Sequence, residues 1–219
     1  MLAPDPLRRR FLVFSVLFVV ATAAALWIDM PVARWVDRDG FRSLGPIDSV
    51  VVWSEVFAHG VGVGLILLIV LVLDPDHRRQ VLRLGTLSLG AGFVSLIAKY
   101  AVSRARPHAA NLAGTVLATF HGGVFPTSSA MQSFPSGHTT TAVGLAIGLA
   151  WLYPRGRWMF YTFALIAASQ RWANRDHFVS DSCAGAAIAT CVAAFVLGGS
   201  FVQRWFDRYE SRGEKPGAP

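Results

Sequence analysis

Long apolar runs dominate this chain, at residues 11–28, 50–73, 84–102, 136–153, 158–172 and 181–202. A helix needs ~20 consecutive apolar residues to cross the hydrocarbon core of a bilayer, and runs of this length leave a soluble fold little polar surface. The expected fold class is all-α: a polytopic membrane bundle of six transmembrane helices with a long outer loop, 103–134, between the third and fourth. One membrane domain then accounts for residues 1–219, with 1–10 and 203–219 as cytoplasmic tails. Composition agrees, since 53% of the 219 residues are hydrophobic and only 15% charged, far from soluble usage.

A formal net charge of +7 raises the question of nucleic acid. The basic residues, however, are spread over short connections, where the positive-inside rule accounts for them, and no nucleic-acid motif is present. Arg8, Arg9, Arg10, Arg78, Arg79, Arg83, Arg155 and Arg157 share one side with the C-terminal tail and outweigh the opposite side. That bias places both termini in the cytoplasm and loop 103–134 on the periplasmic or extracellular face of a cytoplasmic membrane. The N-terminal stretch also resembles a signal peptide with an Ala23-x-Ala25 cleavage pattern; its apolar run exceeds a signal core, so a retained anchor is expected. Cys183 and Cys191 lie too far apart along one helix for a disulfide and read as packing residues. Trp27, Trp35, Trp53, Trp151, Trp158 and Trp172 fall near span ends, as in an interfacial belt.

The unusual polar residues gather in three segments at the outer ends of spans: KYAVSRARP, FPSGH and QRWANRDHFVSD. Lys99 and Arg106 are seven apart, which on a helix puts them on nearly one face, about 10 Å apart along the axis. Pro107 disfavours helical geometry at Arg106, so two cations stand at a helix end, where they grip an anion or snorkel to headgroups. Ser136 and Gly137 open the fourth span, where free backbone N–H groups suit an anion; taken alone, Ser136 reads equally as a helix cap. His177 and Asp181 are four apart. If the helix reaches back to His177, the carboxylate accepts one ring N–H and leaves the other nitrogen as a nucleophile; if Ser180 caps the helix instead, the pair is a surface contact. Together with Arg171 and His138, these groups suit phosphoryl transfer, in which the protein positions the group and neutralises its oxygens.

The pattern K-x6-R-P, P-S-G-H and R-x5-H-x3-D, in that order, resembles the type 2 phosphatidic acid phosphatase family, which includes lipid phosphatases and is related to vanadium haloperoxidases. The resemblance implies that His177 is the nucleophile forming a phosphohistidine, that Asp181 orients it and that His138 protonates the leaving group. Lys99, Arg106, Ser136, Gly137 and Arg171 would bind the phosphoryl oxygens. One departure stands out: the family usually places Ser before the arginine of the third motif, and here that residue is Gln170, with Ser169 one position earlier.

Glu55 and His59, four apart in the second run, are expected to form an interhelical hydrogen-bonded pair, with a proton relay as the other reading. His108 and His121 lack zinc-ligand spacing, so no metal and no cofactor is expected. The expected partners are a lipid phosphate and the bilayer, with no nucleic acid; oligomeric state is left open. The leading expectation is a metal-independent phosphatase acting on a lipid-linked phosphate or diphosphate. A small ion- or proton-coupled transporter is the alternative; it requires polar residues at mid-membrane on several spans, whereas here they sit at span ends. Halide oxidation on vanadate is disfavoured, because those relatives are soluble.

Overall fold

The computed structural model describes residues 5–38, 40, 54–126 and 128–211. Residues 1–4 and 212–219 of the expected tails, 50–53 of the second expected span, and with them Trp53 of the expected belt, lie outside the described residues.

Helix α1 (Pro6–Arg38) begins where Asp5 and Pro6 favour it: the Asp5 carboxylate accepts from the Leu7 N–H at 2.8 Å, and proline at the first helical position loses no bond. Its 33 residues rise about 50 Å at 1.5 Å each, more than the ~30 Å hydrocarbon core. Its buried residues, Ala25, Asp29, Met30 and Ala33, make one stripe, while Val13, Leu17 and Val20 face outward.

A 3-10 turn, Ser54–Phe57, precedes α2 (Gly60–Leu73). A side chain on Gly62 would collide with the Val56 carbonyl, so glycine lets the turn fold back on the helix start. Helix α3 (Val81–Lys99) carries a π turn at Thr86–Gly90. There α4 (Gly137–Leu152) crosses so closely that a Cβ on Gly144 would overlap the Leu87 carbonyl. Helix α5 (Arg157–Ala173) follows, then α6 (Val179–Val196).

Helix α6 is largely buried, and its many Ala, Gly and Ser residues allow the close backbone approach that membrane helices exploit. Ser15 of α1 donates to the Ala187 carbonyl of α6 at 2.9 Å. The last expected span, to 202, is corrected: α6 stops at Val196. Gly199 takes φ +70°, a left-handed conformation that glycine adopts without penalty, and α7 (Phe201–Ser211) sets off separately. It is docked by Phe206 and by Arg83, which donates to Asp207 at 2.5 Å and Glu210 at 2.8 Å.

By length and composition, α1, α3 and α6 are long and apolar enough to cross a membrane. Helices α2, α4 and α5 have 14, 16 and 17 residues, short of the ~20 that a full crossing takes.

The connection from α3 to α4 departs from the all-α expectation. Strands β1 (Ser103–Arg104) and β2 (Phe120–His121) pair antiparallel, with Ser103 opposite His121, and Arg104 makes a further bridge to Gln132. Apolar side chains underpin this cap, Met30, Ala33 and Phe178 packing with Leu112 and Val116. The cap stands at the end of the bundle where α3 and α5 finish and α4 and α6 begin.

Candidate active site

The loop-bearing end of the bundle collects all three polar segments. His177 lies before α6, which starts at Val179 with Phe178 as its N-cap. The expected i,i+4 pairing within one helix is therefore corrected: Asp181 turns back as the first-turn acid and accepts the Phe178 N–H at 2.8 Å, as carboxylates do at helix starts. Ser180 does not cap the helix; its N–H donates to Asp29 at 3.0 Å.

The His177 ring is buried, and its Nδ1 meets the Ser133 carbonyl at 2.7 Å, while the nearest Asp181 oxygen stands 3.6 Å away. A carbonyl only accepts, so Nδ1 carries the proton and, in the neutral ring, the Nε2 lone pair is left bare. Asp181 acts by charge at this distance. Burial pushes the His177 pKa below its usual value, against the pull of Asp181 and with the help of Lys99 and Arg106; a neutral, nucleophilic ring results at neutral pH.

Asp181 itself is wholly buried. Ser133 Oγ donates to its Oδ2 at 2.6 Å, and Arg104 Nη1 donates to its Oδ1 at 2.5 Å. Arg104 was not among the residues expected at the site, nor was Ser133.

The expected anion-binding residues come together nearby. Lys99 ends α3 and donates to the Gln132 carbonyl at 2.6 Å; it lies within electrostatic range of Arg106 and Arg171. Arg106 donates to Asp176 Oδ1 at 3.0 Å. Arg171 donates to the other oxygen of Asp176, to Glu55 at 3.2 Å and to Gln170 Oε1 at 3.0 Å. The Nε donors of Arg106 and Arg171 are buried with no hydrogen-bond partner among the described residues, a costly state for a buried donor. The carboxylates of Asp176 and Glu55 show which guanidinium edges already suit a planar oxyanion.

Ser136 is the N-cap of α4, its Oγ accepting from the Thr139 N–H at 3.4 Å and the Thr139 hydroxyl at 3.0 Å. Capping is thus its observed role. At Gly137 a Cβ would stand in ordinary contact with Lys99 Cε at 3.8 Å and Ser95 Oγ at 3.9 Å, which places the start of α4 directly beside the lysine. His138 is half-buried, with Nε2 3.7 Å from Glu55 Oε1, and lies within electrostatic range of Arg171, His177 and His59.

The expected Glu55–His59 interhelical pair is corrected. Glu55 sits in the turn before α2 and reaches Gln170 and Arg171, while His59 caps α2 by accepting from the Val61 N–H at 3.3 Å. Gln170, the departure from the family pattern, is buried and holds Arg171 from one side. His108 sits in the loop, its Nδ1 3.1 Å from the Arg175 carbonyl. Among the described residues no group of three His, Cys, Asp or Glu side chains has metal-ligand proximity.

Two signals for the unexpected residues were present in the sequence. Asp29 is an acid abutting the first apolar run, a position that merits attention by default. Arg104 lies two before Arg106, an alternation that in extended chain would put both on one face; local hydrogen bonding turns them to different partners.

The PAP2 superfamily model matches residues 80–205. Among curated proteins, the lipid A 1-phosphatase of Rhizobium johnstonii is 36% identical over 98 residues, which are 44% of this chain and 38% of that protein. The similarity therefore spans well under half of the relative's length. No solved structure matches.

Proposed function

The chain belongs to the PAP2 superfamily, and from that membership we propose that it is a metal-independent membrane phosphatase that hydrolyses a lipid-linked phosphate or diphosphate through a phosphohistidine. The observation that carries this reading is the gathering of Lys99, Arg106 and Arg171 beside two histidines, one of them with Nδ1 tied to a carbonyl. The site lies on the periplasmic or extracellular side of the cytoplasmic membrane and the termini in the cytoplasm. Helices α1 to α6 make the six crossings, the shorter α2, α4 and α5 completing theirs with flanking turns.

In the first step the Nε2 lone pair of His177 attacks the terminal phosphorus, and its bond to the leaving oxygen, that of the lipid alcohol in a monophosphate or of the remaining lipid phosphate in a diphosphate, breaks. His138 gives its proton to that oxygen. In the second step His138 takes a proton from water, whose oxygen attacks phosphorus; the P–N bond breaks, and inorganic phosphate leaves. Lys99, the Nε groups of Arg106 and Arg171, and the Gly137 amide neutralise the equatorial oxygens. The Ser136 hydroxyl adds a donor while its oxygen caps α4.

Candidate substrates are lipid A phosphate, suggested by the relative's name, undecaprenyl diphosphate, phosphatidylglycerophosphate and phosphatidic acid. The test is phosphate release from these lipids in detergent with EDTA present. Turnover by the wild type, inhibition by vanadate and loss in His177→Ala are expected. No hydrolysis of any lipid, together with ion flux in liposomes, would favour a transporter instead.

A further inference from the structure

Asp29 stands on α1, outside residues 80–205 and outside all three motifs, yet it is bonded into the support of the site. It is 1% exposed. Its Oδ1 accepts from the Ser180 N–H at 3.0 Å, and its Oδ2 accepts from the Ser180 hydroxyl at 2.5 Å and from Arg104 Nη2 at 2.7 Å. The other terminal nitrogen of Arg104 holds Asp181, so one guanidinium bridges carboxylates from α1 and α6.

Arg104 has little freedom. Its side chain is 0% exposed, Nε donates to Thr119 Oγ1 at 3.1 Å, and the guanidinium carbon lies 4.5 Å and 4.2 Å from the ring centroids of Phe120 and Phe178. Buried charges are costly unless paired, and an arginine with one carboxylate would already be a neutral pair. Here a second carboxylate gives the trio a net negative charge. That charge sits at the N-terminal end of α6, where the helix dipole favours it, and behind a ring that becomes cationic when its Nε2 is phosphorylated.

We propose that Asp29 is a positioning residue for the reaction: by holding Arg104 and Ser180 it fixes Asp181 beside His177 and keeps the buried trio net negative. The inference rests on the phosphatase reading above. It makes the first helix part of the catalytic support, beyond its packing role.

The experiment compares Asp29→Asn with wild type in both the native and Asp181→Asn backgrounds. Asparagine keeps an acceptor for the Ser180 N–H while removing the charge. In the native background kcat falls at least about tenfold, the scale of one hydrogen bond to a charged group, with KM within about twofold because substrate does not touch Asp29. In the Asp181→Asn background the same change costs less than about threefold, because coupled residues are non-additive. Equal losses in both backgrounds, or unchanged kcat with only a lowered melting temperature, overturn the proposal. If Asp29→Asn does not fold, Ser180→Ala, which deletes the hydroxyl between Asp29 and Arg104, is put through the same cycle with the same two outcomes.

A readout independent of turnover is the titration of His177 by ring-nitrogen NMR, against the surrounding Asp181, Lys99, Arg106 and His138. Asp29→Asn moves it to lower pH; an unmoved titration counts against the proposal. A wild type inactive on every lipid would remove the phosphatase reading, and the titration would then decide the role of Asp29 by itself.

Discussion

The His177 ring is oriented by the backbone of Ser133, whose carbonyl oxygen lies 2.7 Å from Nδ1. A backbone acceptor cannot be deleted by substituting a side chain, so the ring keeps its tautomer even when Asp181 is altered. Replacing the orienting aspartate of a Ser-His-Asp triad costs about 10⁴-fold because the tautomer is lost. Here Asp181→Asn is expected to cost only about 10- to 100-fold in kcat, the worth of a charge-assisted contact, measured as initial rates on a lipid monophosphate. Ser133→Ala, which retains the carbonyl and loses one hydrogen bond to the Asp181 carboxylate, stands at the low end of that range, about tenfold.

The buried His177 gives a signed pH dependence. Its pKa is lowered in the folded protein, chiefly by burial, whereas an unfolded histidine takes up a proton below about 6.5. Below that pH the unfolded state binds more protons, so stability from this group is present above about 6.5 and is lost as pH falls toward the folded value. The melting temperature of the detergent-solubilised protein should drop on acidification, less steeply in His177→Gln. Along with it, kcat/KM should show no acid limb from His177 until pH is below about 6.5.

Gly185 is where α6 crosses the start of α4. A Cβ there would stand 2.6 Å from the Ser136 carbonyl oxygen and 2.8 Å from Thr140 Oγ1, closer than packed atoms tolerate. Gly185→Ala should push the two helix starts apart, costing about 1–3 kcal/mol as overpacking does. Both the melting temperature and kcat should fall, since His138 and Asp181 ride on those helices.

Glu55 accepts from Arg171 at 3.2 Å, and in the proposed reaction it competes there with the incoming phosphoryl group. Glu55→Gln removes a competing negative charge from a half-exposed side chain, so KM should fall by about two- to fivefold, the span of a weak surface pair. A steady-state comparison on one lipid phosphate checks it, and a raised KM would show that Glu55 assists binding.

Much of this was legible in the sequence because motif spacing and hydrophobic runs carry it. Lys99, Arg106, His138, Arg171, His177 and Asp181 fall in the segments that the fold gathers at one end. The spacing did not reveal how the pieces are wired. Helix periodicity suggested that Asp181 bonds His177 directly, but the helix begins at Val179 and the carboxylate serves its first turn. Asp176 and Asp29 escaped notice because their roles depend on partners 70 and 75 residues away in sequence, Arg106 and Arg104. The end of α6 also had a local cause, Gly198 and Gly199, inside a run that hydropathy alone reads as continuous.

The phosphohistidine is the central claim, and its most direct test is rapid quenching of the enzyme with a lipid carrying radiolabelled phosphate, followed by mapping of the label. An alkali-stable, acid-labile phosphoryl group is expected on the peptide containing His177, formed no more slowly than turnover and lost in His177→Ala. Label that persists in His177→Ala, or that maps to another peptide, would contradict it.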